Sequence, residues 1–245
     1  MKRLFWLFLM AFVLGCGHQR GQLGAGSTLN NSDFDTPPPQ RLQYTPTERR
    51  LLALGLVDIQ ALDPSIQVHL VYATPDNFIG EVLYSDFHHA FFLPALAQKI
   101  VAAQQALRSE RPDLSLLILD AVRPLSVQYR MFHLVQGTPN NIYVANPLHG
   151  PGLHNFGAAV DATLVDAAGN PLPMGSGFDH FGPESHITAE SRLLSSGAIT
   201  PQELDNRKLL RRIMKQQGLQ PLNSEWWHFS LMSRTQARQR LRVVE

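Results

Sequence analysis

The sequence predicts an α+β fold, with helices packed on a mainly antiparallel sheet in a single domain over residues 46–245. Three observations lead there. Apolar residues recur at helical spacing in some segments and alternate or run together in others. The two kinds of segment mix without the strict strand–helix–strand repetition of a parallel sheet. The chain has 245 residues and is 44% hydrophobic, enough for one sizeable core or at most two small ones.

The elements follow in order. Ile66, Val68, Leu70 and Tyr72 alternate with Gln67, His69 and Val71, as in a half-buried strand. Pro94 opens a helix to about residue 108, with Leu96, Ile100, Ala103 and Leu107 on one stripe. Residues 115–119 are a short apolar run suited to a central strand. Pro124 opens a second helix to about residue 136, and Gly137 ends it. Residues 158–165 form another strand. Thr200-Pro201-Gln202-Glu203 is a capping box with proline at the first helical position, and that helix runs to Gln217 before Gly218. Residues 226–231 are a last, aromatic strand. There is no internal repeat.

The start of the chain has a different character. Lys2 and Arg3 precede an apolar run over residues 4–14, too short to span a bilayer comfortably and suited to a signal-peptide core. Val13-Leu14-Gly15-Cys16 resembles the bacterial lipobox, and Cys16 is the single cysteine. No internal disulfide is therefore open to it. The expectation is a lipoprotein signal peptide over 1–15, a lipidated Cys16 that holds the protein to a membrane, and a flexible tether over 16–45. The tether is rich in Gly, Ser, Asn, Gln and Pro, including Pro37-Pro38-Pro39. Gly17, not aspartate, follows the cysteine. By resemblance to Gram-negative lipoproteins this implies the periplasmic side of the envelope, at the outer membrane. Net charge is +1, from 21 basic and 20 acidic residues, and no basic block suggests a nucleic-acid partner.

Two fragments carry chemistry. In Gly152-Leu153-His154-Asn155-Phe156-Gly157-Ala158-Ala159-Val160-Asp161, a histidine precedes a turn and a strand then delivers an aspartate. A loop-back through Gly157 can aim His154 and Asp161 at one point, and an imidazole with a carboxylate suits zinc. Near the other end, Glu225-Trp226-Trp227-His228 can supply a third ligand, His228, and a carboxylate, Glu225, that reaches water without ligating. Trp226 and Trp227 are expected to wall the site. The helical His-Glu-x-x-His motif is absent. Each fragment alone is weak; a lone histidine is more often a satisfied core or surface group.

Taken with three further segments, the fragments acquire specificity. Val68-His69-Leu70-Val71-Tyr72-Ala73-Thr74-Pro75-Asp76-Asn77-Phe78-Ile79-Gly80, Asp120-Ala121-Val122-Arg123-Pro124 and Met174-Gly175-Ser176-Gly177-Phe178-Asp179 with Ser185-His186 stand in order with them. Over about residues 58–232 the chain resembles the VanX-type D-alanyl-D-alanine dipeptidases, a zinc D,D-peptidase family. The resemblance implies one zinc ion per chain on His154, Asp161 and His228, with Glu225 as general base. It implies Arg123 beside the scissile carbonyl, and Asp179 and Tyr72 in contact with substrate. Arg123 also lies where a strand candidate ends at Pro124, where a charged side chain is either functional, paired with Asp120, or both. The implied substrate is D-Ala-D-Ala or a related peptidoglycan peptide. A D,D-carboxypeptidase trimming murein stems, or a cell-wall-binding lipoprotein without catalysis, are the alternatives. One departure stands out: Gly152 occupies the position where the family usually has a substrate-contacting serine. His69, His88, His89 and His133 are expected to lack partners, and His186 to support the site.

Overall fold

The structure, a computed structural model, describes residues 43–142 and 144–245. The signal segment, Cys16 and nearly all of the expected tether lie outside the described residues. Tyr44 and Thr45, expected in the tether, already pack on the domain. The Tyr44 hydroxyl donates to Asp58 Oδ2 at 3.0 Å.

The main sheet has five strands: β2 (Gln67–Val68), β4 (Ser115–Asp120), β5 (Ala159–Val165), β6 (Gln220–Leu222) and β7 (Glu225–Ser230). Their spatial order is β2-β4-β5-β7-β6. Only the β2–β4 pair is parallel; the other three pairings are antiparallel. A two-stranded ribbon of β1 (Val57–Asp58) and β3 (Phe91–Phe92) stands apart from the sheet. The helices are α1 (Pro46–Ala53), α2 (Ile59–Leu62), α3 (Pro94–Glu110), α4 (Leu125–Val135), α5 (Glu190–Ser195), α6 (Pro201–Gln216) and α7 (Arg234–Arg240). Helices α3 and α6 pack on each other, α3 also against β4 and α6 against β5 and β7. The fold is thus α+β on a mainly antiparallel sheet.

Local chemistry explains the main elements. In α3, the stripe of Leu96, Ile100, Ala103 and Leu107 is fully buried. Gln104, on the same side, accepts from the Leu116 amide at 2.8 Å and donates to Ser65 Oγ at 3.0 Å, so its burial leaves no polar group unmet. In α6, Thr200 Oγ1 accepts from the Glu203 amide and the Thr200 amide donates to the Glu203 carboxylate, closing the expected capping box.

The alternating segment over 66–72 forms less strand than its pattern predicts. Only Gln67 and Val68 pair with β4, and a 3-10 turn takes over at Val71–Ala73. Ile66, Leu70 and Tyr72 are buried as expected. The Tyr72 carbonyl, however, accepts from the Leu83 and Tyr84 amides instead of a strand neighbour. His89 also departs from expectation, whereas His88 gains a partner only for its backbone amide. Glu48 on α1 is fully buried and accepts from both backbone amides and from His89 Nδ1 at 2.8 Å.

Candidate metal centre

The three central strands bring their functional residues into line. Across β4 and β5, Asp120 lies opposite Asp161; across β5 and β7, Asp161 lies opposite His228. Facing residues of antiparallel strands share a face, so the pairing gathers these groups on one side of the sheet. His154 comes from a short 3-10 turn over His154–Phe156 that leads into β5. Gly157 ends that turn with φ +65°. A Cβ there would fall 2.9 Å from Leu56 Cδ2 and 3.3 Å from the Leu93 amide nitrogen, so only glycine allows this loop-back.

The result is a tight cluster. His154 Nε2 is 3.2 Å from His228 Nδ1 and 3.4 Å from Asp161 Oδ2, and His228 Nδ1 is 2.9 Å from Asp161 Oδ1. One ligand atom from each residue lies within 4.8 Å of the others, and all three residues are buried. His154 Nδ1 sits 2.7 Å from the Ala121 carbonyl, which can only accept, so Nδ1 carries the proton and Nε2 presents a lone pair. A proton between these atoms serves one pair at a time, whereas a cation at their centre serves all three. Two imidazoles and one carboxylate, with room for a fourth ligand, fit a zinc-type set. When Nε2 takes a proton as well, the charge of His154 and hydrogen bonds from both histidines hold the Asp161 carboxyl far below the usual range, against the burial that alone would raise it. Burial likewise opposes charging of His154, and Asp161 outweighs it and raises its pKa.

Glu225 begins β7, so its carboxylate stands beside this cluster without entering it. Its Oε2 is 3.9 Å from His228 Nδ1, beyond a direct hydrogen bond. Burial pushes the Glu225 carboxyl above its usual range, against the attraction of His228.

Arg123 lines the same cavity. Its Nη2 and Nε donate to Asp120 Oδ2 at 2.5 and 3.2 Å, and Nη1 donates to Gln128 Oε1 at 2.8 Å. Asp120 is fully buried, and its other oxygen accepts from the Tyr84 hydroxyl at 2.7 Å. The guanidinium also lies 5.1 Å from the centre of the Tyr72 ring.

The cavity measures about 350 Å³ and is also lined by Tyr72, Asp179 and Gly152. The expected site residues within the described part of the chain therefore share one cavity. The family described as D-ala-D-ala dipeptidase matches residues 52–244. The chain belongs to the D-ala-D-ala dipeptidase family. It is therefore a metallopeptidase. It is 36% identical to the D-alanyl-D-alanine dipeptidase of Escherichia coli (strain K12), over 72% of this chain and 84% of that protein. The D-alanyl-D-alanine dipeptidase of Enterococcus faecium is 26% identical, over 74% of this chain and 93% of that one.

Within this dipeptidase-family domain, Tyr72 and Asp179 act as a pair. The Tyr72 hydroxyl donates to Asp179 Oδ2 at 2.7 Å, and Asp179 is the one described non-glycine residue with positive φ, +56°. Burial pushes its carboxyl up to about 8, against the Tyr72 hydrogen bond that lowers it. At Gly152 a Cβ would meet only Asn155 Oδ1, at 3.6 Å, so the position leaves space in the wall.

Of the two tryptophans expected to wall the site, only Trp227 lines the cavity. Trp226 lines a neighbouring hollow with Ser176 instead, and its Nε1 donates to Ser176 Oγ at 2.9 Å. His186 lines an adjoining hollow beside Glu225 and is not among the candidate ligands. Sequence reasoning missed Gln128, whose side chain holds Arg123 from the first turns of α4. It also missed Phe78 and Phe181, whose rings meet edge-on at 4.8 Å on the cavity wall. The Asn-Phe-x-Gly turn was the available signal for Phe78.

Proposed function

We propose that the protein is a zinc-dependent D-alanyl-D-alanine dipeptidase that takes part in cell-wall peptide metabolism. His154, Asp161 and His228 would hold one zinc ion through Nε2, a carboxylate oxygen and Nδ1. The observation that carries this reading is the convergence of these three atoms in a cavity that also contains Glu225 and Arg123. The relatives named D-alanyl-D-alanine dipeptidase support the substrate. When bound, the ion supplies Lewis-acid polarisation and an acidified water.

The chain's own residues do the rest. Glu225 takes a proton from the attacking water on its carboxylate and passes it to the leaving amine. Its raised pKa suits a base that must hold that proton through the reaction. Arg123, fixed by Asp120 and Gln128, offers a guanidinium N–H to the oxygen that gains charge, an effect of about 3–4 kcal/mol for a well-placed donor. Tyr72 and Asp179 contact the substrate. Trp227, Phe78 and Phe181 limit water and substrate size.

The test is hydrolysis of D-Ala-D-Ala by the purified full-length protein, with and without chelator. Alanine release that stops on chelation and returns with zinc is expected. No release, or release indifferent to chelator, removes the proposal.

One observation favours a second reading, a D,D-carboxypeptidase acting on longer stems. Past Asp179, Phe181, Glu225 and Trp227 a further hollow of about 270 Å³ continues, walled by His180 and His186. Comparing a free dipeptide with a stem pentapeptide separates the two.

An envelope location through lipidated Cys16 belongs to the same proposal. Its support is the lipobox-like sequence and the uniqueness of that cysteine. Among the described residues no helix is long and apolar enough to cross a membrane. Cys16→Ala should release the protein from the membrane fraction.

A further inference from the structure

We propose that Arg234 is a specificity-determining residue that receives the free carboxylate of the substrate's carboxy terminus. This inference rests on the dipeptidase reading and deepens it. The cavity wall carries two guanidinium groups, those of Arg123 and Arg234. Arg123 is committed to Asp120 and Gln128. Arg234 is exposed and has no hydrogen-bond or ion-pair partner among the described residues. Yet its side chain reaches the wall of a cavity that also holds the carboxyl groups of Asp161, Asp179 and Glu225.

The placement of Arg234 is built, not incidental. It lies on α7, which follows β7 directly, so the strand that presents Glu225 and His228 also presents this helix. Arg238 lies one turn further on the same face. It donates to the His149 carbonyl at 2.8 Å and the Pro151 carbonyl at 3.2 Å. These bonds seat α7 against the chain segment that runs into Gly152 and His154. Arg234 is therefore held at the Gly152 side of the cavity, where the wall has no side chain of its own. Asp179, Phe181 and Glu225 mark the other side, the one continuous with the second hollow.

The cavity is thus electrically polar, with a free cation at one side and a carboxyl at the other. A free dipeptide is a zwitterion, and this polarity favours one of its two orientations. A planar guanidinium takes a carboxylate in two parallel hydrogen bonds, which amide or ester termini cannot match. Recognition of this kind acts on ground state and transition state alike, so its loss falls on KM more than on kcat.

Full-length wild-type, Arg234→Ala and Arg234→Lys proteins, each loaded with zinc, are compared on D-Ala-D-Ala and on its carboxy-terminal amide. In wild type, kcat/KM for the acid should exceed that for the amide at least tenfold. In Arg234→Ala, KM for the acid should rise about tenfold with kcat changed less than about threefold, and the preference over the amide should disappear. Arg234→Lys should restore part of that preference, which a merely structural role for the side chain would not predict. Wild-type cleavage of the acid with unchanged KM and preference in Arg234→Ala overturns this inference alone. Wild-type failure to cleave D-Ala-D-Ala overturns the dipeptidase reading and the inference with it.

Discussion

Arg123 and His154 are tied to each other through their backbones. The Arg123 amide donates to the His154 carbonyl at 3.0 Å, and the Asn155 side chain donates to the Arg123 carbonyl at 2.8 Å. The residue proposed to meet the developing oxyanion and a proposed metal ligand are thus one rigid unit, although 31 positions separate their numbers. Movement of either turn is expected to disturb both functions together.

Asp120 anchors this unit from below. Replacing it with alanine strands the Arg123 guanidinium without its buried carboxylate and leaves Tyr84 without an acceptor. Breaking a buried pair from one side costs about 3–5 kcal/mol. For a domain of this size that lowers Tm by roughly 10 °C. Thermal unfolding of Asp120→Ala against wild type checks it. A shift under about 2 °C would show that the pair carries little.

Glu225→Gln keeps the shape of the side chain and removes its basicity. Zinc content should stay near one per chain, because Glu225 is outside the three-ligand cluster. Turnover should fall about 10²- to 10⁴-fold, the usual share of a general base. Metal analysis beside kcat separates the two effects. Loss of zinc in this variant would make Glu225 a ligand instead.

These two predictions come from opposite ends of what the sequence shows. Asp120 and Arg123 stand three apart where a strand meets Pro124, and Glu225 and His228 share one strand end, so local spacing revealed both pairs. His154 and Asp161 were legible for the same reason, with Gly157 as the visible hinge. Longer-range partners left no such trace. Glu48 and His89 are paired across 41 positions, although the Thr45-x-x-Glu48 capping box that starts α1 was there to be read. The ribbon of Val57–Asp58 with Phe91–Phe92 is too short to have a period. The strand pattern over 66–72 mistook alternating burial for strand pairing, because a turn can bury alternate side chains as well.

The carboxy-terminal tail is a further long-range partner. The Val244 amide donates to the Asn155 carbonyl at 2.8 Å, and the Val244 carbonyl accepts from the Leu125 amide at 2.7 Å. Val244 itself is 5% exposed and belongs to the main core. The tail therefore bridges the His154 turn and the start of α4, just after Arg123. Removing residues 243–245 loses two backbone hydrogen bonds, about 0.5–1.5 kcal/mol each, and one buried valine, about 1.5–3 kcal/mol. The truncated protein should unfold about 10 °C lower and turn over more slowly. Unaltered Tm and kcat would refute the bridge.

Asp179 should make stability depend on pH in an uncommon direction. An unfolded aspartate titrates near about 3.9, whereas burial pushes this one up to about 8. Between those values the folded state keeps a proton that the unfolded state has lost, so stability falls as pH rises. The carboxyl faces the cavity and is partly reached by solvent, which holds the effect to about 1–2 kcal/mol. The substitution Asp179→Asn removes the titration and still accepts the +56° backbone, since asparagine tolerates that region well. The variant should therefore be the more stable protein at about pH 8, with the difference closing towards about pH 5. Urea midpoints at the two pH values measure this directly. Parallel midpoints would mean that the carboxyl is already ionised at neutral pH, and that Tyr72 donates to a full negative charge.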